Sequence, residues 1–184
     1  MEVEKLSRKY DLDVTFSPYF LDPSTPPEGK PRRQMSKPDD PPSHLELRAE
    51  ELGIRFTRGR TWTSNSHISL QAGEFVSERY PELMDAFHKR MFKAYFDELA
   101  DIGTVDAVVK LGAEAGLPEA ELRAALEGET YRDRVDEGID WARQVGVSAV
   151  PTFILDEKYA VVGAQPVEVF EQVLEKLGKR PRES

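Results

Sequence analysis

The chain has 184 residues, which is enough for one domain with a proper core or for a small domain that carries a large insertion. Its formal net charge of −9 at pH 7 argues against a nucleic-acid partner, because binding to a phosphate backbone depends on clustered lysine and arginine. The chain contains no cysteine, and this excludes structural disulfides, iron–sulfur clusters, thiolate zinc sites and any Cys-x-x-Cys redox couple within it.

From the sequence we expect neither a membrane-spanning segment nor a secretory leader. No apolar run approaches the ~20 residues that a membrane-spanning helix needs. The first five residues, Met1 to Lys5, lack the pattern of a signal peptide. We therefore expect no membrane partner and a cytoplasmic location, which also suits a chain without cysteine.

Residues 1–42 form the first predicted segment, with a helix, a strand and a proline-rich connector. The helix is predicted from apolar residues that share one face, namely Val3, Leu6 and Tyr10. Residues 12–21 are predicted as an extended strand. Seven prolines between residues 23 and 42 predict a stiff, irregular connector. Its basic residues are followed by two aspartates and predict a solvated loop; they are Lys30, Arg32, Arg33 and Lys37.

Residues 43–145 are predicted to be a helical insertion. Ser43 and Glu46 have the spacing of a capping box, and Gly53 ends the helix that they begin. The apolar stripe of this helix is Leu45, Ala49 and Leu52. Further helices are predicted to begin near residues 66, 81, 104, 118 and 130. Their predicted inward residues are Ile68, Ala72, Phe75, Val76, Phe87, Met91, Tyr95, Phe96, Leu99, Val105, Val108, Ala115, Tyr131, Val135, Ile139 and Ala142.

Residues 146–184 are predicted to contain a loop, a hairpin and a helix. The runs Thr152 to Leu155 and Tyr159 to Val162 flank a polar turn and predict the hairpin. Pro166 suits the first position of the helix that follows, and Gly178 suits its end. Its predicted inward residues are Phe170, Val173, Leu174 and Leu177.

The Val150–Pro151 peptide bond precedes a proline, and such bonds can adopt the cis form. An X–Pro amide is the one peptide bond whose cis form is cheap enough to be built into a fold, and we predict a cis bond here. Such a loop leaves the carbonyl and amide of Val150 exposed along a groove. An extended peptide or a thiol ligand can then pair with them.

Four stretches, in chain order, carry a resemblance to a known family. They are Tyr19-Phe20-Leu21-Asp22-Pro23 with Pro26-Pro27-Glu28-Gly29, then Asn65-Ser66, then Phe92-Lys93-Ala94-Tyr95-Phe96 with Asp101-Ile102, and finally Gly146 to Phe153 with Gly163-Ala164-Gln165-Pro166. With them the chain resembles the DsbA-like thioredoxin superfamily, in the branch of the FrnE-type oxidoreductases and the 2-hydroxychromene-2-carboxylate isomerases. The resemblance implies an α/β, thioredoxin-like fold with a large helical insertion and with its first strand missing.

The resemblance also implies roles for two residues. Redox members of this branch place a Cys-x-x-Cys at the end of the first strand and the start of the first helix. The sequence begins inside that helix, so no catalytic residue is carried over to it. Pro151 would lie beside the nucleophilic sulfur, and Val150 would pair with the backbone of a bound substrate. We therefore expect a FrnE-type thiol–disulfide oxidoreductase family protein that is redox-inactive as this cysteine-free chain.

Two alternatives remain open at the level of sequence. A 2-hydroxychromene-2-carboxylate isomerase uses the sulfur of glutathione and needs no cysteine, although Ser7 is the only serine in the first helix. A non-catalytic binding module would keep only the groove beside Val150 and Pro151. Without a first strand the sheet would have two open edges, so we also expect a gene product that starts further upstream, or a homodimer.

Other candidate sites have simpler explanations. His44-Leu45-Glu46 has the form of half a zinc-deaminase motif, but the cysteines of the other half are absent and Glu46 is explained as a cap. We expect no metal site. A set of acidic residues on one helix is interleaved with arginines and predicts a solvated face; it comprises Asp133, Asp136, Glu137 and Asp140. Five aromatic residues are predicted either to line an apolar pocket between the insertion and the core or simply to belong to the core; they are Trp62, Trp141, Phe92, Tyr95 and Phe96.

Overall fold

A computed structural model of the chain describes residues 2–33, 39–51 and 53–182. In chain order its elements are α1 (Glu2–Lys9), β1 (Lys30–Pro31), α2 (His44–Glu51), β2 (Trp62–Thr63), α3 (His67–Arg79), a 3₁₀ turn (Pro81–Leu83), α4 (Met84–Phe96), α5 (Val105–Glu114), α6 (Glu119–Glu127), α7 (Arg132–Gln144), β3 (Thr152–Leu155), β4 (Tyr159–Val162) and α8 (Val167–Lys176). No helix within these ranges is long and apolar enough to cross a membrane.

The chain divides into two compact units. The terminal unit contains Met1–Leu21 and Asp140–Ser184, and the central unit contains Asp22–Ile139. The proline-rich connector therefore groups with the helices of the central unit, whereas the sequence placed it in a segment with α1. The reason is a short antiparallel pairing of β1 with β2, in which Lys30 lies opposite Thr63.

The terminal unit is built on a small apolar core. Its buried side chains come from α1 and the residue that follows it, from α8 and from β4; they are Leu6, Tyr10, Phe170, Leu174 and Val161. Phe153 of β3 meets Phe170 edge to face, with the ring centroids 4.9 Å apart. The antiparallel hairpin pairs Thr152 with Val162 and Leu155 with Tyr159, as its apolar runs predict.

The strand predicted over residues 12–21 is wrong. Residues 11–20 have no regular secondary structure, and no described residue forms a β ladder with them. Val14 and Phe16 are 43% and 57% exposed. A strand exists only when its backbone groups pair with a neighbour, and the alternation of side chains along one segment does not supply that neighbour.

The central unit has its core between α3, α4, α5 and α6. Its largest fully buried side chains are Phe87, Leu122, Leu126, Gln71, Val76, Val108, Val109 and Val135. α5 and α6 approach closely at Gly112, where an added Cβ would lie 2.4 Å from a methyl carbon of Leu122. Thr104 begins α5 as predicted, since its Oγ1 accepts a hydrogen bond from the Ala107 N–H at 3.3 Å.

Some predicted inward residues lie at the surface. In α2, Ala49 is buried but Leu45 is 64% exposed, and Leu52 lies outside the described residues. Phe92 of α4, for which the sequence left open a pocket or the core, is 57% exposed and does not belong to the core. Of the basic residues in the connector, Arg32 and Arg33 are exposed, while Lys37 lies outside the described residues.

Candidate binding site

The loop between α7 and β3 carries the two residues that the sequence assigned to substrate binding. α7 ends at Gln144, and Gly146, whose φ is +79°, lets the chain turn sharply away from the helix. The chain then runs through Ala149 and Val150 to Pro151, and the Val150–Pro151 peptide bond is cis. Thr152 begins β3 immediately afterwards.

Hydrogen bonds fix this loop on both sides of Val150. Before it, the Ala149 carbonyl accepts a hydrogen bond from the Thr152 hydroxyl at 2.7 Å. After it, the Pro151 carbonyl accepts one from the Gly163 N–H at 2.8 Å. The backbone of the loop is therefore held in place by the protein's own groups before any ligand arrives.

The backbone of Val150 itself is not used. Among the described residues, nothing pairs with its N–H or its carbonyl oxygen, and the residue is 49% exposed. An extended chain running antiparallel could exchange two hydrogen bonds with this one residue, as paired residues of a sheet do.

The outer face of the hairpin extends the exposed apolar surface beside the loop. Because side chains alternate along a strand, Thr152 and Ile154 face away from the side on which Phe153 packs against α8. Val162 lies opposite Thr152 and so belongs to the same outer face. Ile154 and Val162 are 37% and 52% exposed. Together with Val150 they form what we call the loop strip.

The loop carries no nucleophile suited to disulfide chemistry. The chain has no cysteine, and the Thr152 hydroxyl already donates to a carbonyl. A thiolate is the attacking group in disulfide exchange, and no residue here supplies it.

The other sequence-derived candidates have structural roles. Glu46 caps α2 and binds Arg58 through both carboxylate oxygens, at 2.6 and 2.8 Å. Asp136 lies 2.9 Å from Nε2 of His67, and Asp140 pairs with Arg143 at 3.1 Å. No group of three or more possible metal ligands is brought together within the described ranges.

The central unit contains a cavity of which the sequence identified only some lining residues. It is lined by Arg60, Trp62, Ser64, Leu99, Ala100 and Asp101 and has a volume of about 220 Å³. The sequence drew attention to Trp62 as an aromatic residue of a pocket, but it did not identify Arg60. No local pattern marks an arginine whose partner is an aromatic ring distant in the chain.

A family model and a bacterial relative match most of the chain. The model, described as a DSBA-like thioredoxin domain, matches residues 1–175. The uncharacterized protein YwbO of Bacillus subtilis strain 168 is 28% identical over 172 residues, which cover 93% of this chain and 85% of YwbO.

Two solved structures are similar in fold. A probable DsbA oxidoreductase from Streptomyces coelicolor has a TM-score of 0.63 at 27% identity, over 76% of this chain and 60% of that protein. A candidate protein disulfide isomerase from Nitrosomonas europaea has a TM-score of 0.61 at 20% identity, over 72% of this chain and 69% of that protein. The chain therefore spans less than two thirds of the Streptomyces structure.

Proposed function

Because the chain belongs to the family of DSBA-like thioredoxin domains, we propose that it is a redox-inactive, FrnE-type member that binds an extended, thiol-bearing peptide along the loop strip. The fold class expected from the sequence, an α/β, thioredoxin-like fold with a large helical insertion, is confirmed by the family match and the Streptomyces structure. Val150 and Pro151 are the proposed binding residues.

The observation that carries this proposal is the unpaired backbone of Val150 in a loop that the protein already holds. The Val150 N–H would donate to a carbonyl of the peptide, and the Val150 carbonyl would accept from a peptide N–H. The peptide's sulfur would then lie over Pro151, which is exposed and has no N–H of its own.

Magnitudes indicate that hydrogen bonds alone are not enough. Each contributes a net ~0.5–1.5 kcal/mol, whereas association costs ~4–15 kcal/mol in lost freedom. Burying apolar surface contributes ~25 cal/mol per Å². The exposed side chains of Val150, Ile154 and Val162 must therefore supply much of the affinity, and we expect a preference for apolar residues beside the peptide's cysteine.

A pair of matched variants tests this binding. Val150→Asp places a charge in the loop strip and should weaken binding of an apolar, S-methylated cysteine peptide by about ten-fold or more, because the carboxylate must lose water. Val14→Asp is the control, since Val14 is 43% exposed in the same unit but lies outside the loop. Calorimetric titration measures both. Equal affinities for the two variants would contradict the proposal.

The redox part of the proposal has a direct assay. A chain without cysteine should not catalyse the reduction of insulin by dithiothreitol above the uncatalysed rate. Turnover that follows the concentration of the purified chain would show that chemistry exists without a dithiol.

A glutathione-dependent activity of the 2-hydroxychromene-2-carboxylate isomerase type is the second candidate. The observation in its favour is the absence of cysteine, since such an enzyme takes its sulfur from glutathione. Ser7 of α1 is half-buried and is the serine available in that helix. Titration with millimolar glutathione should give saturable heat if this candidate is right, and its absence would retire it.

A further inference from the structure

We propose that the cavity beside Arg60 binds a small organic monocarboxylate, held by the Arg60 guanidinium and the Ser64 hydroxyl. The cavity lies within the central unit, whereas Val150 and Pro151 belong to the terminal unit, so this inference does not rest on the proposed function.

The guanidinium of Arg60 has an unused donor. Its Nη2 atom is buried and has no hydrogen-bond partner, and its central carbon lies 3.7 Å from the centroid of the Tyr95 ring. The ring face attracts the cation but does not accept the N–H hydrogens as an oxygen does. Nη2 itself is closed off from solvent, so a ligand in the cavity would pair with the other guanidinium N–H groups of Arg60, which also have no hydrogen-bond partner among the described residues.

Unlike Arg60, two arginines close to it in the sequence have carboxylate partners. Arg55 pairs with Asp97 at 3.4 Å, and Arg58 binds Glu46 at 2.6 Å. Within the described ranges, no carboxylate lies within ion-pair distance of Arg60. The carboxylate of Asp101, which lines the same cavity, lies beyond that distance.

Ser64 supplies a second donor to the same cavity. It is only 7% exposed, and its Oγ accepts a hydrogen bond from the Ile102 N–H at 3.2 Å. No described acceptor takes the hydroxyl hydrogen of Ser64. A carboxylate has two oxygens and several lone pairs, so it can accept from the guanidinium and the hydroxyl together.

The charges around the cavity favour a monoanion. Burial lowers the pKa of Arg60, as does the nearby charge of Arg32, while Tyr95 and Asp101 raise it. Two arginines and one aspartate leave a net charge of +1, which one carboxylate neutralises. A dianion such as phosphate would leave the cluster negative and would be repelled by Asp101.

The walls of the cavity favour an organic body on that carboxylate. Trp62 and Leu99 line it, and Trp62 is 37% exposed. An alkyl group on the ligand would cover part of this apolar surface, whereas an inorganic ion would not. A branched acid such as isobutyrate is therefore a suitable probe for a cavity of about 220 Å³.

The test follows the indole signal of Trp62 in a Trp141→Phe chain, whose only tryptophan is then Trp62. We expect this signal to shift saturably as isobutyrate is added. We expect Arg60→Met to weaken binding by about ten-fold or more, because it removes a charge-assisted donor. Arg55→Met is the matched control, since Arg55 is an exposed arginine of the same segment, and it should change the affinity less than about two-fold.

Three results would overturn the proposal. The first is equal affinity for isobutyrate and neutral isobutyramide. The second is an equal effect of Arg60→Met and Arg55→Met in chains with native circular dichroism. The third is tighter binding of inorganic phosphate than of isobutyrate. If Arg60→Met does not fold, the affinities of the chain with native Arg60 for isobutyrate and for isobutyramide decide whether the carboxylate is recognised. Ser64→Ala is then the second variant.

Discussion

At the scale of single residues, Glu46 combines two structural contacts in one carboxylate. Its Oε2 accepts a hydrogen bond from the Ser43 N–H at 2.7 Å, while Arg58 donates to both of its oxygens. These bonds, first those from Arg58 and then that from Ser43, lower the pKa of Glu46 from 4.5 to about 2. The charged form is therefore the one that the fold stabilises.

This shift predicts a specific pH dependence of stability. Because the folded pKa is below the unfolded value, the contribution of Glu46 is fully present above pH 4.5 and is lost as the pH falls towards 2. Urea unfolding of the native chain and of Glu46→Gln should give a difference in unfolding free energy that shrinks over this range. Glu51→Gln, which alters an exposed pair with Arg48, should have a smaller effect. A difference for Glu46→Gln that does not vary with pH would contradict this account.

Sequence patterns identify residues whose role is local and miss those whose partners are distant. The capping box of Ser43 and Glu46 spans three positions and was predicted from spacing alone. Arg60 and Tyr95 are far apart in the chain, and their stacking depends on how α4 packs. The roles of Val150 and Pro151 were predicted from an X–Pro pair and a family resemblance, and they remain proposals.

At the scale of elements, the close approach of α5 to α6 depends on the absence of a side chain at Gly112. An added Cβ would lie 2.4 Å from Leu122 and 3.2 Å from Leu117, and Leu122 is fully buried. The helices must separate or Leu122 must leave its position if a methyl group is added there.

Two glycine substitutions with opposite expected effects on the free energy of unfolding test this packing. Gly112→Ala should destabilise the chain by about 1–3 kcal/mol through overpacking. Gly73→Ala in α3 meets no atom within 4 Å and should stabilise it by about 0.5–1 kcal/mol, since alanine is the better helix former. Urea unfolding measures both. Stabilisation by both substitutions would contradict the close packing of α5 and α6.

Helices were predictable from the sequence because their hydrogen bonds are local, whereas the prediction of a strand at residues 12–21 was wrong. Each of α1 to α8 matches a periodic run, and most have a capping or breaking residue near one end. The β3–β4 hairpin was also predictable, because its two runs are joined by three residues. A strand whose partner lies far away in the sequence requires tertiary information.

At the scale of the whole molecule, two separate units each carry one candidate site. The terminal unit holds the loop strip, and the central unit holds the cavity beside Arg60. The described part of the chain has only two two-stranded sheets, so strand edges remain open. Open edges favour pairing with a second chain, and we propose a homodimer.

Sedimentation equilibrium measures the assembly directly. A dimer should have twice the 20.9 kDa of one chain at micromolar concentration. The single-chain mass at all concentrations up to about 1 mM, a concentration at which even weak interfaces associate, would contradict the dimer. That result would not bear on the proposal that a peptide binds along the loop strip.

Hydrogen exchange at the Val150 amide tests the central claim most directly, because no described group accepts that N–H in the free chain. The amide should exchange rapidly in the free chain and at least about ten-fold more slowly when an S-methylated cysteine peptide is saturating, since binding supplies the missing acceptor. The amide of Gly163, which already donates to Pro151, is the internal control. Unchanged exchange at Val150 in the presence of bound peptide would contradict the account.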